Sequence, residues 1–231
     1  MTPAAVPLST RLTQTALRPE WTELEAAQAC ELAKRLQLAS VTVRPCDIDV
    51  AVRILTGSSV IPGSTAGFPH GDSNTGSKLY EGRDLLRRGA REIDMVINIA
   101  KLRSRQFQYI DTEIMQMSEA CRKEKAILRV TLETGYLTDE QIIVACRMCG
   151  RAEVAVVKDV TGFGPPGTQA GLRLLRQHLP EGALVEAGHL SSLTGLLQAL
   201  DADAARISTP DAQPLLQDYQ AHLAPPPALI S

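Results

Sequence analysis

The chain has 231 residues, of which 44% are hydrophobic, 22% charged and only 3% aromatic, with a net charge of −2. That length suits one barrel-sized domain or two small ones, with a core built from Ala, Val, Leu and Ile. The balanced charge gives no electrostatic case for a nucleic-acid or anionic-membrane partner.

No stretch reaches the length of a membrane span, and Met1 to Pro19 lacks the basic start and apolar run of a signal peptide. Five cysteines without a disulfide-like pattern fit a reducing, cytoplasmic location.

A loose arm is expected over about 1–9, followed by a short strand between Arg11 and Pro19. Trp21 to Leu36 reads as a helix that Thr22 caps, with Ala26, Ala27, Cys30, Leu32, Ala33 and Leu36 on its apolar face. Ala39–Val43 is a strand stopped by Pro45. Asp47 or Asp49 starts a helix that Gly57 ends. Val60 to Ala66 is the next strand, and Gly67-Phe-Pro-His-Gly71 is its loop. Ser77 to Arg88 is a helix with Gly89 as its stop.

Glu92–Asn98 is a strand, Gln106 to Lys123 a helix and Ala126 to Glu133 a strand. Thr138 opens a helix with a Thr138-Asp-Glu-Gln141 capping box. The strand ending at Lys158 follows, then a helix over 168–179, a strand over 183–187, a helix over 190–200, a strand over 204–208 and a helix over 211–223. A Pro-rich tail closes the chain over about 224–231. Repeated βα units at this length predict one α/β domain, a closed (β/α)₈ (TIM) barrel, with an open doubly wound sheet as the alternative. No Gly-x-Gly-x-x-Gly follows the first strand, which argues against dinucleotide binding.

Within that frame Glu153-Val-Ala-Val-Val-Lys158 stands out: a buried strand that carries one lysine. A buried ammonium must be paired or lose its proton, and a free lysine amine attacks carbonyls to form a Schiff base. The alternative is a strand-end lysine reaching for water. The other polar residues at strand ends are Asn98, Glu133, Asp159, Glu186 and His189. Asp94 shares a strand face with Val96 and Asn98, and facing inward it would pair with Lys158, either as a proton relay or as a plain buried ion pair. Cys146 and Cys149 show a C-x-x-C spacing without a second pair, which reads as core packing. His70 and His189 lie in Gly-containing loops. Gly162-Phe-Gly-Pro-Pro-Gly167 offers backbone N–H groups to an anion, less two removed by proline.

Taken together, Gly67-Phe-Pro-His-Gly71, Glu92-Ile-Asp-Met-Val-Ile-Asn98, Leu132-Glu-Thr134 and Val156-Val-Lys-Asp-Val-Thr-Gly-Phe163 resemble deoxyribose-phosphate aldolase, a class I aldolase family on a (β/α)₈ barrel. The likeness runs from about Leu12 to Thr209. It implies that Lys158 forms the Schiff base and Asp94 takes part in proton transfer. It also implies substrate contacts from Glu133, Asn98, Thr161, Gly162, Gly188, His189, Ser208 and Thr209. Imine chemistry calls for neither metal nor cofactor.

The chain also departs from the family pattern. The family's second lysine, which keeps the first one deprotonated, falls on Glu186. A carboxylate facing Lys158 would favour its protonated form instead. The family's Asp-His-Thr becomes Thr13-Gln-Thr15, the cysteine common in its second-strand motif becomes Thr42, and its Thr-Ser-Thr-Gly becomes Asp159-Val-Thr-Gly162. Its phosphate-binding Gly-Gly falls near Gly188-His189, and its Gly/Ser-rich helix start becomes Ser208-Thr-Pro-Asp211, where proline lacks an N–H and Asp211 repels a phosphate.

Two readings follow. One is a Schiff-base lyase acting on 2-deoxyribose 5-phosphate or a related, unphosphorylated aldehyde, with Glu186 in the site; a variant of it makes Glu186 a new general base, giving different chemistry on the same lysine. The other is a silent barrel, a pseudoenzyme that binds a ligand or a protein partner. The last helix and the tail are the expected place for a homodimer contact.

Overall fold

Helix starts are where this sequence speaks most plainly. The computed structural model describes residues 7–224, so the arm expected over about 1–9 lies outside the described residues up to residue 6, and the tail does so from residue 225. Thr22 and Glu25 form a capping box at α1 (Glu23–Leu36), and Thr138 and Gln141 form another at α6 (Asp139–Arg151). Asn74 caps α3 (Thr75–Arg87), Thr168 caps α7 (Gln169–His178) and Ser192 caps α8 (Leu193–Asp201). Each cap accepts a bond from an N–H group that the helix itself leaves unpaired. Asp47 precedes α2 (Ile48–Leu55) but makes no cap bond; Arg44 Nε donates to its carboxylate at 2.7 Å.

Eight parallel strands close in sequence order: β1 (Leu12–Ala16), β2 (Ser40–Val43), β3 (Ile61–Ala66), β4 (Glu92–Val96), β5 (Ile127–Thr131), β6 (Val156–Lys158), β7 (Leu184–Ala187) and β8 (Arg206–Thr209). Leu12 pairs with Ile207, which completes the ring and rules out the open sheet. The lysine strand is shorter than its apolar run suggests, because Glu153 sits in a left-handed turn at φ 54°. β4 is also shorter than expected. Asn98 lies beyond it and caps α4 (Ile99–Arg103), a helix the sequence reading missed, so Asn98 does not share a strand face with Asp94. The long α5 (Phe107–Lys123) follows, and α9 (Ala212–Leu223) ends the described fold.

Side chains alternate along each strand, and here the alternation sorts chemistry. Val41, Val43, Ile93, Met95, Val130, Val157, Val185 and Ile207 turn outward into the apolar layer beneath the helices. Cys146 and Cys149 are buried in the same layer on α6, and burial pushes the Cys146 thiol up to about 12. The inward positions are mostly polar. Ser40, Thr42, Glu92, Asp94, Arg129, Thr131, Lys158, Glu186 and Arg206 are all buried, and their bonds cross the lumen between strands that are not neighbours. Barrel interiors are usually filled with branched aliphatics. This one is filled with ions.

Candidate active site

The lumen network has one hub. Arg129, on β5, lies against three buried carboxylates of the lumen: Nη1 is 2.8 Å from Glu186 and 3.1 Å from Glu92, and Nε is 3.3 Å from Asp94. Its Nη2 donates to Thr42 Oγ1 at 2.6 Å. Arg206, on β8, donates to Glu92 Oε2 at 2.6 Å and lies 3.3 Å from Glu186 Oε2. Lys158 Nζ donates to Asp94 Oδ2 at 3.2 Å, and Thr131 Oγ1 donates to Asp94 Oδ1 at 2.5 Å. Three carboxylates thus face two guanidiniums and one amine. Desolvating an ion costs several kcal/mol, so mutual pairing is what makes such a lumen tolerable. Burial alone would raise the carboxyls of Glu92 and Asp94. The guanidiniums beside Glu92 hold it below the usual range, and Lys158, Arg129 and Thr131 do the same for Asp94.

This geometry corrects the expectation for Glu186. It is the register partner of Lys158 across β6 and β7. Its carboxylate nevertheless turns to Arg129 and Arg206, and among the described residues its ion-pair partners within 4 Å are those two arginines and not Lys158. The sequence reading passed over both arginines. The alternation applied to Asp94 would have found them, since Arg129 stands two residues before Thr131 and Arg206 two before Ser208.

Two of the cavities at the C-terminal ends of the strands hold the expected site residues. The first, about 270 Å³, is lined by His70, Asn98, Arg103, Glu133, Tyr136 and Thr161, among others. Glu133 is held at φ 58°, is buried, accepts from the Thr161 N–H through Oε1, and among the described residues leaves Oε2 without a partner. Asn98 spends its side chain on the Lys101 N–H at 3.0 Å, and its own N–H donates to Glu113 on α5. Lys158 is 1% exposed and does not line this cavity.

The second cavity, about 250 Å³, lies between the loops after β6 and β7 and the starts of α7 and α8. Gly162, Gly188 and His189 line it, with Asp159. Burial pushes the Asp159 carboxyl up to about 7, although the N–H groups of Gly188 and Val160 donate to it at 2.7 Å. Burial, together with Lys158 and Arg18, lowers His189 below its ordinary value, against Asp211. Ser208 and Thr209 line neither cavity.

Four of the backbone donors an anion could use at these strand ends are already taken. Thr161 N–H goes to Glu133, Phe163 N–H to Thr161, Gly188 N–H to Asp159 and His189 N–H to Ser208. At the start of α9 the Asp211 N–H donates to Thr209 Oγ1 at 3.1 Å and the Ala212 N–H to Gln14 Oε1 at 3.2 Å. Pro214 has no N–H, so the first turn of α9 keeps only that of Gln213.

With the geometry in hand, comparison with known proteins is informative. No family model matches the chain. It is 36% identical to the deoxyribose-phosphate aldolase of Thermoanaerobacter pseudethanolicus over 196 residues, covering 84% of this chain and 88% of that one. The deoxyribose-phosphate aldolase of Bacteroides thetaiotaomicron is 34% identical over 215 residues, covering 92% of this chain and 90% of that one. The chain belongs to the deoxyribose-phosphate aldolase family. A Coccidioides immitis protein provisionally assigned to the same activity superposes with a TM-score of 0.87 at 28% identity, covering 94% of this chain and 87% of that one. Family membership agrees with the closed barrel. Among the described residues no helix is long and apolar enough to cross a membrane.

Proposed function

We propose that the chain is a Schiff-base lyase of the aldolase family, acting on a short aldehyde with little call for a phosphate group. The observation that supports it most is the Lys158–Asp94 pair. An amine held 3.2 Å from a carboxylate that stays ionised is placed to become an iminium, whose fixed positive charge that carboxylate would balance. Asp94 is also the nearest partner for proton transfer to and from the nitrogen. Glu186 has a structural part in this reading, as a counter-ion to two arginines rather than a base. Gly162, Gly188, His189, Ser208 and Thr209 shape the loops around the site. The spent N–H groups of Gly188 and His189, with Asp211 at the start of α9, favour 2-deoxyribose or a similar unphosphorylated aldehyde over 2-deoxyribose 5-phosphate.

One observation favours the second reading, a silent barrel that binds a ligand or a protein partner: Lys158 is almost wholly buried and is already paired. The two readings separate on borohydride trapping. The protein is incubated with acetaldehyde, 2-deoxyribose or 2-deoxyribose 5-phosphate, reduced, and weighed intact. A mass increment that maps to Lys158 and is lost in Lys158→Ala supports the lyase. No increment with any of the three, from protein that remains folded, overturns it.

A further inference from the structure

Lys158 is 1% exposed, so an aldehyde reaches it only when something at the barrel mouth gives way. An aromatic contact crosses that mouth. Phe68, in the loop after β3, and Phe163, in the loop after β6, meet edge to face with ring centroids 5.2 Å apart. β3 and β6 stand three places apart in the ring, so a contact between their loops spans the opening instead of following its rim. The pair also divides the space there. On one side is the cavity of about 270 Å³ that His70, Glu133 and Thr161 line. On the other is a third cavity, of about 390 Å³, whose wall includes Leu17, Arg44, Thr65 and Phe68. Pro69 and Phe163 belong to the walls of both. Thr65 ties the larger cavity to the lumen: it lies on β3 as the register partner of Asp94, whose carboxylate accepts from Lys158. Lys158 itself is in the wall of neither cavity.

Each ring is aimed by the glycine before it. Gly67 and Gly162 hold φ at 68° and 90°. A Cβ on Gly67 would meet the Lys78 side chain at 2.6 Å, and one on Gly162 would run into the His189 ring. The Phe163 N–H donates to Thr161 Oγ1 at 3.1 Å, which fixes its backbone. Its side chain is 48% exposed, so the ring can leave Phe68 by a rotamer change without opening a core.

We infer that the Phe68–Phe163 pair is a gate over Lys158 that selects aldehydes by size. Short aldehydes pass with the rings together or barely parted. A bulky aldehyde needs the rings apart, which merges the two cavities into one. The inference rests on the reading of Lys158 as the Schiff-base nucleophile and adds a specificity determinant to it. The arithmetic is that of a population shift. An edge-to-face pair favours the closed arrangement, so removing either ring raises the open fraction by about threefold to tenfold. Aldehydes that need the open form gain by that factor, and those that do not are little changed.

The experiment compares two aldehydes on one lysine. Wild type, Phe68→Ala, Phe163→Ala and the double variant are each incubated with acetaldehyde or phenylacetaldehyde and cyanoborohydride. The rate of modification at Lys158 is followed by peptide mass spectrometry. The ratio of the two rates does not depend on the folded fraction, so a variant that is merely destabilised leaves it unchanged. The wild type is expected to favour acetaldehyde. Each alanine variant should raise the phenylacetaldehyde-to-acetaldehyde ratio by about threefold to tenfold. The double variant should gain no more than either single, because each single already breaks the contact. A ratio unchanged in either alanine variant, with Lys158 still trapped, overturns the gate and leaves the nucleophile standing. Gains that multiply in the double variant mark two separate walls and also overturn it. Trapping confined to the alanine variants supports the gate and overturns the lyase reading of the wild type. No trapping at Lys158 in any of the four proteins removes both.

Discussion

Glu186 and Lys158 stand opposite each other in the strand register, yet the Glu186 carboxylate belongs to Arg129, 2.8 Å away. A lysine at 186 would therefore not simply restore the family's arrangement. It would set an ammonium against two buried guanidiniums. Glu186→Lys is expected to destabilise the fold and to trap no more imine than the wild type. Glu186→Gln strands the same arginines at a cost of about 3–5 kcal/mol. At about 2–4 °C per kcal/mol for a chain of this size, that lowers the melting temperature by roughly 10 °C. Calorimetry on the two variants checks this, and a melting point unchanged in either would refute the account of the lumen.

Asp159 supplies a pH dependence with a definite sign. Its folded carboxyl is pushed up to about 7, against an ordinary value of about 3.9 when unfolded. Between those limits the folded chain holds a proton that the unfolded chain has released. Its contribution is therefore fully present below the unfolded value and is lost as pH rises to about 7, by up to about 1.4 kcal/mol per unit. Asparagine keeps the oxygen that accepts from Val160 and Gly188. Asp159→Asn should gain on the wild type from pH 5 to pH 7.5 in urea unfolding. A gap that does not change with pH would contradict the assignment.

Lys78 and Glu113 form a second buried pair, at 2.9 Å, outside the lumen. Lys78 Nζ also donates to the Val96 carbonyl, and Glu113 accepts from the Asn98 N–H, so the pair holds the loop after β4. Lys78→Met alone should cost about 3–5 kcal/mol, because it leaves a buried carboxylate unpaired. Adding Glu113→Leu should return part of that loss. Denaturation midpoints of the two singles and the double decide it; a double variant worse than the sum of the singles would be the wrong sign.

Gln14 closes the start of α9, accepting from the Ala212 N–H and donating to the Pro210 carbonyl. Gln14→Ala is expected to cost about 1–3 kcal/mol, the loss typical of a buried group left unpaired. It should not create a phosphate site, because Asp211 stays at the helix start and Pro214 offers no donor. Calorimetric titration with inorganic phosphate should show no binding in either protein, and binding gained by the variant would show that Gln14 alone keeps the anion out.

The barrel was legible because its local signals agree: capping residues, Gly stops and Val-rich runs repeat in βα order from Thr22 to Asp211. The Lys158–Asp94 meeting was legible too, since the residues carry both chemistry and family resemblance. What escaped was set by side-chain direction at long range. Glu186 has Lys158 and Arg206 as register neighbours whichever way its carboxylate turns, and only the side-chain directions across the lumen bring Arg129, two strands away, within reach. Asn98 was misplaced for a local reason: its amide caps α4 instead of continuing the strand. The unpartnered oxygen of Glu133 depends on a left-handed backbone that no pattern in the sequence signals.

The shared service of Arg129 to three carboxylates also limits how a lumen like this one changes over generations. Reversing any one charge leaves its neighbours short of a partner, so a single substitution here passes through a less stable chain. Viable paths must alter partners together or relieve the deficit first elsewhere. A glutamate at 186 is thus best regarded as one member of a set with Arg129 and Arg206, inherited or lost as a group. Libraries that vary the three positions jointly should recover folded barrels that one-at-a-time scanning will miss.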